Sequence, residues 1–169
     1  VKPQDLPTAA AQIAAACATR QPLIISTAAG VRIRTIAAAL GGHSNIVRAM
    51  PNRPALIGKG MTALFAGPAT GAADRDLAGH ILGAVGEIVW LQEESQMDVA
   101  TALSGSGPAY FFRLIELLEQ AGERLGLPRE TARKLAVETA HGAGCMARET
   151  GIDPAILRAE VTSPGGTTA

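Results

Sequence analysis

The residues best suited to bind a small anion lie near the end of the chain, in the stretch Ser163-Pro164-Gly165-Gly166-Thr167-Thr168. Adjacent glycines adopt backbone angles that other residues avoid, so they can turn successive N–H groups toward one point. Three hydroxyls add donors, and the proline stiffens the entry to the segment. The pattern predicts a binding site for a carboxylate or a phosphate at the start of a helix. An ordinary surface turn has the same composition, and this stretch alone leaves both interpretations open.

A second stretch rich in serine and glycine, residues 104–108, has the composition of a nucleophilic serine loop. The nucleophile elbow of serine hydrolases requires a glycine two positions before the serine, and the residue two positions before Ser106 is Ser104. No recognisable base and orienting group accompany either serine. We therefore predict that this stretch breaks a helix or forms a close packing point.

The other polar residues form no evident metal site or acid–base pair. The histidines and cysteines lie apart in the sequence, without the spacing of metal ligands or of a disulfide framework: His43, His80, His141, Cys17 and Cys145. The acidic pairs are interpreted as solvated carboxylates, and they are Glu93 with Glu94 and Asp74 with Asp76. We predict no metal, and the lack of an acid or base favours chemistry carried by a cofactor, such as hydride transfer.

Charge and hydropathy limit the classes of partner. The 15 basic and 15 acidic residues balance and are scattered, so the sequence predicts no binding of nucleic acid. The apolar runs fall short of the ~18 consecutive residues that suggest a membrane span, and we expect a soluble, cytoplasmic protein. The chain opens on Val1 and stops within an expected helix, which suggests a piece of a longer protein.

The first half of the chain has the pattern of an α/β domain. The apolar, β-branched run at residues 23–26 is typical of a strand buried on both faces of a parallel sheet. Ala28, Ala29 and Gly30 follow it, either as a surface for a flat ligand or as a tight strand-to-helix turn. One predicted strand ends at residue 3, and four more cover residues 23–26, 45–49, 62–66 and 87–91. The first 50 residues therefore read β-α-β-α-β. The predicted helices cover residues 5–19, 33–40 and 74–85, the last with Asp74 as its N-cap.

The second half reads as helix without strands. The predicted helices cover residues 98–103, 109–125, 129–150 and 154–159, the last with Asp153 as its N-cap. We therefore divide the chain into an α/β domain at residues 1–94 and a helical domain at residues 95–169. Ligand sites often form where two such architectures meet.

Several stretches together resemble one family, Δ1-pyrroline-5-carboxylate reductase, the last enzyme of proline biosynthesis. They occur in the family's order along the whole chain, and no single one would suffice. The stretches are residues 1–4 (VKPQ), 25–31 (ISTAAGV), 48–52 (RAMPN), 102–110 (ALSGSGPAY) and 161–168 (VTSPGGTT).

The resemblance implies a Rossmann-type domain without its N-terminal part, followed by a helical dimerisation domain without its C-terminal part. It implies a homodimer formed through the helical domain and assembled into a decamer. The implied reaction transfers a hydride from NADPH or NADH to the cyclic imine 1-pyrroline-5-carboxylate and gives L-proline, without a metal. The choice between NADPH and NADH depends on residues upstream of Val1.

The resemblance also assigns roles by position. Val1, Lys2 and Pro3 would close around the cofactor, and Ala28, Ala29 and Gly30 would lie near the nicotinamide. The substrate carboxylate would be held by Ser163, Gly165, Gly166, Thr167 and Thr168, and Thr168, the catalytic candidate, would also hydrogen-bond the ring nitrogen.

The chain departs from the family pattern at Arg53, where the family usually has Thr, and at Glu160, where Asn or Met is more usual. The glycine-rich nucleotide fingerprint, expected upstream of Val1, is absent from the sequence. The chain alone is therefore not expected to bind the cofactor's pyrophosphate. A further hypothesis is that the chain alone is inactive. Two alternatives stay open. One is a non-catalytic helical assembly module; the other is a β-hydroxyacid-type dehydrogenase, which would need a lysine that residues 102–110 lack.

Overall fold

The structure is a computed structural model that describes residues 2–163 and 165–166. Val1, Pro164, Thr167, Thr168 and Ala169 lie outside the described residues. The chain divides into two compact units, Val1–Pro108 and Ala109–Ala169.

The first unit combines a small sheet with helices. Its strands are β1 (Ile24–Ser26), β2 (Ile46–Met50), β3 (Gly60–Ala66) and β4 (Gly86–Trp90). Its α-helices are α1 (Leu6–Arg20), α2 (Ile33–Ala39), α3 (Ala72–Gly83) and α4 (Gln96–Ala100). Short 3-10 turns at Pro3–Asp5 and Arg53–Ile57 and a π-helical turn at Thr101–Gly105 complete it.

The four strands lie in the order β1-β2-β3-β4 and form a mixed sheet. β1 and β2 pair in parallel, with Ser26 opposite Arg48. β3 runs antiparallel to β2, and β4 runs parallel to β3. The predicted α/β architecture is confirmed. The expected parallel arrangement holds only for the pair β1 and β2 and for the pair β3 and β4.

The core of the first unit lies on both faces of this sheet, because successive residues of a strand point to opposite faces. Ile46 of β2 packs with residues of α1 and α2 on one face, in a cluster completed by Ala10, Cys17, Ile36 and Leu40. Val47, the next residue, packs on the other face in a cluster that also contains Ala49, Leu64, Ala66 and Ala78. β2 is therefore buried on both sides, which agrees with its apolar sequence.

Three expectations about local structure are wrong. Residues 2–5 form no strand: Lys2 has an extended backbone, and Pro3 begins a 3-10 turn. The expected β-α-β-α-β order therefore lacks its first strand in the described residues. Asp74 is not the N-cap of α3, which is Gly71. The carboxylate of Asp74 instead accepts a hydrogen bond from the side-chain amide of Asn45 at 2.8 Å. Asp74 is half-buried, and the expectation of a solvated carboxylate is the third that is wrong.

The second unit is helical, as predicted. Its long helices are α5 (Gly107–Arg124), which begins at the boundary between the units, and α6 (Arg129–Thr150). They pack closely at Gly122, where an added Cβ would lie 2.9 Å from the Cβ of Ala132. The short helix α7 (Pro154–Glu160) starts at Asp153, whose carboxylate accepts the N–H of Ala155 at 2.7 Å, so the predicted cap is confirmed.

No helix among the described residues is long and apolar enough to cross a membrane.

Candidate functional site

The turn that follows β1 presents small residues to solvent. Ala28 is buried, whereas Ala29 and Gly30 are exposed. The N–H of Val31 donates to the carbonyl of Ala28 at 3.4 Å, and Gly30 has φ +73, a left-handed angle that side chains disfavour. The result is an open piece of backbone that carries no side chain larger than a methyl group at residues 28–30, which suits close approach of a flat ring.

Lys2 and Pro3 lie just before α1, at the 3-10 turn that precedes it. Both are exposed, and the carbonyl of Lys2 accepts the N–H of Asp5 at 3.0 Å. Leu6, at the first turn of α1, lines an apolar cleft of about 150 Å³ whose lining also includes Thr27 and Ala28. Residues from the start of α1 and from the turn after β1 therefore line the same cleft. Val1 lies outside the described residues.

The end of β2 is joined to the π-helical turn at Thr101–Gly105. The side-chain amide of Asn52 donates to the main-chain carbonyl of Ser104 at 3.3 Å and to its hydroxyl at 3.4 Å. A Cβ added to Gly105 would lie 2.5 Å from Cε of Met50. The prediction that residues 104–108 form a helix irregularity and a close packing point is confirmed.

A partly buried ion pair connects β2 with the segment after β4. A nitrogen of the Arg48 guanidinium lies 2.9 Å from Oε1 of Glu94, and the two side chains are 4% and 26% exposed. The same Glu94 oxygen accepts the N–H of Ile33, the first residue of α2, at 2.6 Å. The interpretation of Glu94 as a solvated carboxylate is therefore wrong, although its neighbour Glu93 is exposed as expected.

Sequence reasoning missed Arg48 and Glu94, and one signal could have found the first of them. Arg48 is the only charged residue in the apolar strand β2, and a charge buried on such a strand requires a partner. Its partner is 46 residues away along the chain, so the sequence could indicate the need for an acidic residue but not which one.

The described part of the glycine pair is a turn. The N–H of Gly166 donates to the carbonyl of Ser163 at 2.9 Å, and Gly165 has φ +72. Ser163, Gly165 and Gly166 are exposed. Pro164, Thr167 and Thr168 lie outside the described residues, so the predicted set of converging donors stays a prediction.

Residues 2–163 and 165–166 contain no group of three or more His, Cys, Asp or Glu side chains placed to hold a metal ion. His43 is buried, and its Nε2 lies 2.8 Å from the carbonyl of Pro22. His80 and His141 are exposed.

Comparison with known proteins gives consistent results. A family model described as pyrroline-5-carboxylate reductase dimerisation matches residues 94–169. The pyrroline-5-carboxylate reductase of Pseudomonas aeruginosa is 48% identical over 168 residues, which cover 99% of this chain and 61% of that protein. Pyrroline-5-carboxylate reductase 1 of Bacillus subtilis is 40% identical over 169 residues, which cover 100% of this chain and 56% of that protein. The chain thus spans less than two thirds of the length of these curated relatives.

Solved structures agree with this result. A pyrroline-5-carboxylate reductase from Coxiella burnetii matches with a TM-score of 0.91 and 43% identity, over 99% of this chain and 62% of that one. The Plasmodium falciparum pyrroline carboxylate reductase, solved with NADP bound, matches with a TM-score of 0.91 and 32% identity, over 99% of this chain and 66% of that one. The chain therefore belongs to the pyrroline-5-carboxylate reductase family.

Proposed function

We propose that the full-length protein, meaning this chain with any segments that precede or follow it, reduces 1-pyrroline-5-carboxylate to L-proline with NADPH or NADH. The observation that carries this proposal is the 48% identity, over 99% of the chain, to a reductase of that name. The NADP in the Plasmodium falciparum relative supports a nicotinamide cofactor. The activity completes proline biosynthesis and makes the protein an oxidoreductase.

The proposed reaction adds a hydride to the imine carbon and a proton to the ring nitrogen, so that the C=N bond becomes a single bond. The cofactor supplies the hydride and is oxidised. Such a reaction depends on holding two flat groups in contact more than on a strong side-chain acid or base. The small residues of the turn after β1 suit that requirement.

For the cofactor, we propose that Ala28, Ala29 and Gly30 support the nicotinamide and that the segment Val1-Lys2-Pro3 closes against it. The exposure of Ala29 and Gly30 supports this assignment, because a flat ring can lie against a turn without large side chains. The apolar cleft lined by residues of α1 and β1, together with Thr27 and Ala28, adds an apolar surface to the same region.

For the substrate, we propose that Ser163, Gly165, Gly166, Thr167 and Thr168 bind the carboxylate through N–H and hydroxyl donors. Thr168 would also hydrogen-bond the ring nitrogen. The left-handed angle of Gly165 supports this proposal, since a turn with a left-handed residue can direct neighbouring N–H groups toward one anion. Binding of the carboxylate would fix the direction in which the imine carbon faces the nicotinamide.

We also propose a homodimer formed through the helical unit, with dimers assembled into a decamer. The dimerisation family model over residues 94–169 supports the dimer. Helix α5 adds an apolar surface, because Phe111, Leu114 and Leu118 recur at helical spacing and are 65%, 51% and 45% exposed. A continuous surface of that kind marks an interface more often than a solvated face.

We place the protein in the cytoplasm. Its two cysteines support this assignment, since both are free thiols and structural disulfides are the rule in oxidising compartments. Cys17 is buried in the core and Cys145 is half-buried, which fits small apolar residues in a reducing environment.

The experiment that tests the proposed function follows the nicotinamide absorbance while the full-length protein is mixed with NADPH and pyrroline-5-carboxylate. We expect absorbance to fall with formation of an equal amount of proline. A Thr168→Ala variant is expected to retain cofactor binding and lose most of the rate, and this chain alone is expected to be inactive. A folded full-length protein that oxidises neither NADPH nor NADH would favour the assembly-module alternative.

A further inference from the structure

The turn that joins β1 to α2, residues 27–32, is tied at both of its ends to Arg48. Before the turn, Ser26 is the register partner of Arg48 in the parallel pair of β1 and β2. After the turn, the N–H of Ile33 donates to Oε1 of Glu94 at 2.6 Å, and that oxygen also accepts a guanidinium N–H of Arg48 at 2.9 Å. One buried side chain and its carboxylate partner therefore bracket the whole turn.

Both donors take their acceptor from a distant segment of the chain. The side chain of Arg48 is only 4% exposed, so its guanidinium needs an acceptor within the protein. The N–H of Ile33 is one of the first groups of α2, and these groups have no acceptor within their own helix. Arg32 stands at the N-cap position of α2 and provides no side-chain hydrogen bond, so Glu94 supplies the acceptor from another segment.

We propose that Arg48 and Glu94 are positioning residues for hydride transfer, which hold the 27–32 turn at the distance that the nicotinamide requires. This inference rests on the proposed function and on the assignment of Ala28, Ala29 and Gly30 to the cofactor. The two side chains act through the N–H of Ile33 and not through contact with cofactor or substrate.

A positioning role differs in its kinetics from a role in stability alone. A pair that only stabilises the fold changes how much enzyme is folded, but leaves kcat per folded molecule unchanged. A displaced turn slows the hydride step itself, and an error of about 1 Å can cost about 100-fold in rate. The hydride step then limits turnover more strongly, so the kinetic isotope effect with deuterated NADPH increases.

The test compares Glu94→Ala, Glu94→Gln and Arg48→Met in the full-length protein. Glu94→Ala removes the acceptor for Ile33, whereas Glu94→Gln keeps an acceptor oxygen at nearly the same place. Glu93→Gln is the matched control, because Glu93 is the adjacent acidic residue and is exposed. The measurements are kcat per folded enzyme, KM for each substrate, the isotope effect with NADPH deuterated at both C4 positions, and hydrogen exchange of the peptide that contains Ile33.

We expect Glu94→Ala and Arg48→Met to lower kcat by about 10- to 100-fold, with KM for the imine changed less than about threefold. The isotope effect should rise, and exchange at Ile33 should accelerate. Glu94→Gln should recover a large part of kcat, and Glu93→Gln should match the wild type.

If Glu94→Ala keeps the kcat and isotope effect of Glu93→Gln, the positioning role is overturned while the reductase activity stands. If the wild type itself oxidises no cofactor, the proposed function fails first and this inference fails with it.

Discussion

The side-chain amide of Asn52 donates to the main-chain carbonyl of Ser104 at 3.3 Å, which joins the end of β2 to a turn 52 residues later in the chain. The side-chain carbonyl of Asn52 accepts the N–H of Met61 at 2.9 Å, so one amide links three segments. Only Asn and Gln offer both a donor pair and an acceptor on one neutral group, and Gln is longer by one methylene. The geometry therefore explains why this position in the Met-Pro-Asn stretch carries Asn.

Replacing Asn52 by Ala is expected to destabilise the full-length protein by about 1–3 kcal/mol, because the half-buried N–H of Met61 loses its acceptor. Ser104→Ala is the comparison, since it removes only the hydroxyl contact at 3.4 Å and leaves the carbonyl in place. We expect Ser104→Ala to cost less than about 1 kcal/mol. Urea denaturation of both variants measures the difference, and equal midpoints would contradict the assigned role of Asn52.

Gly30→Ala tests the turn assigned to the nicotinamide. Gly30 and Gly151 have similar left-handed angles, φ +73 and φ +64, and a Cβ added to either would meet nothing within 4 Å. Ala at either position should therefore cost a similar ~1–2 kcal/mol from backbone strain. Only Gly30→Ala adds a methyl group to the surface proposed for the ring, and we expect kcat/KM for NADPH to fall about 10-fold in that variant alone. Equal activity of the two variants, measured in the full-length protein, would remove Gly30 from the cofactor site.

Phe111→Glu tests the proposed dimer surface on α5. A charge at this position would be desolvated in a dimer interface, whereas it would face water in a monomer, so the variant should shift the population toward monomer. Leu56→Glu is the control, because Leu56 is 79% exposed and lies in the first unit. Sedimentation velocity over a range of protein concentrations measures the effect. Unchanged dimers of Phe111→Glu would place the interface elsewhere.

Local sequence signals locate most of the helices and strands, although they wrongly predict a strand ending at residue 3 and an Asp74 cap. Glycine and proline mark the break between α5 and α6, and the Asp153 cap was identified from its position before an apolar run with proline. The direction of β3 was not predicted, although the segment between β2 and β3 contains only the short turn Arg53–Ile57. A connection without a crossover helix favours antiparallel neighbours, so this feature was available in the sequence.

The candidate site was less accessible to sequence reasoning. The small residues after β1 and the glycine pair could be identified because their chemistry is carried by the backbone and is visible in residue type. The contact of Glu94 with Arg48 and Ile33 could not be identified from the sequence. It depends on how segments 46 and 61 residues apart meet in three dimensions. Adjacent carboxylates such as Glu93 and Glu94 look alike in sequence, and burial alone separates them.

The fate of the hydride shows directly whether the cofactor reduces the imine. Full-length protein is incubated with pyrroline-5-carboxylate and NADPH deuterated at both C4 positions, and the product is analysed by mass spectrometry and NMR. We expect L-proline with one deuterium, located on the carbon that formed the imine. Proline without deuterium, or no proline from a folded protein, would contradict hydride transfer from the cofactor to this substrate.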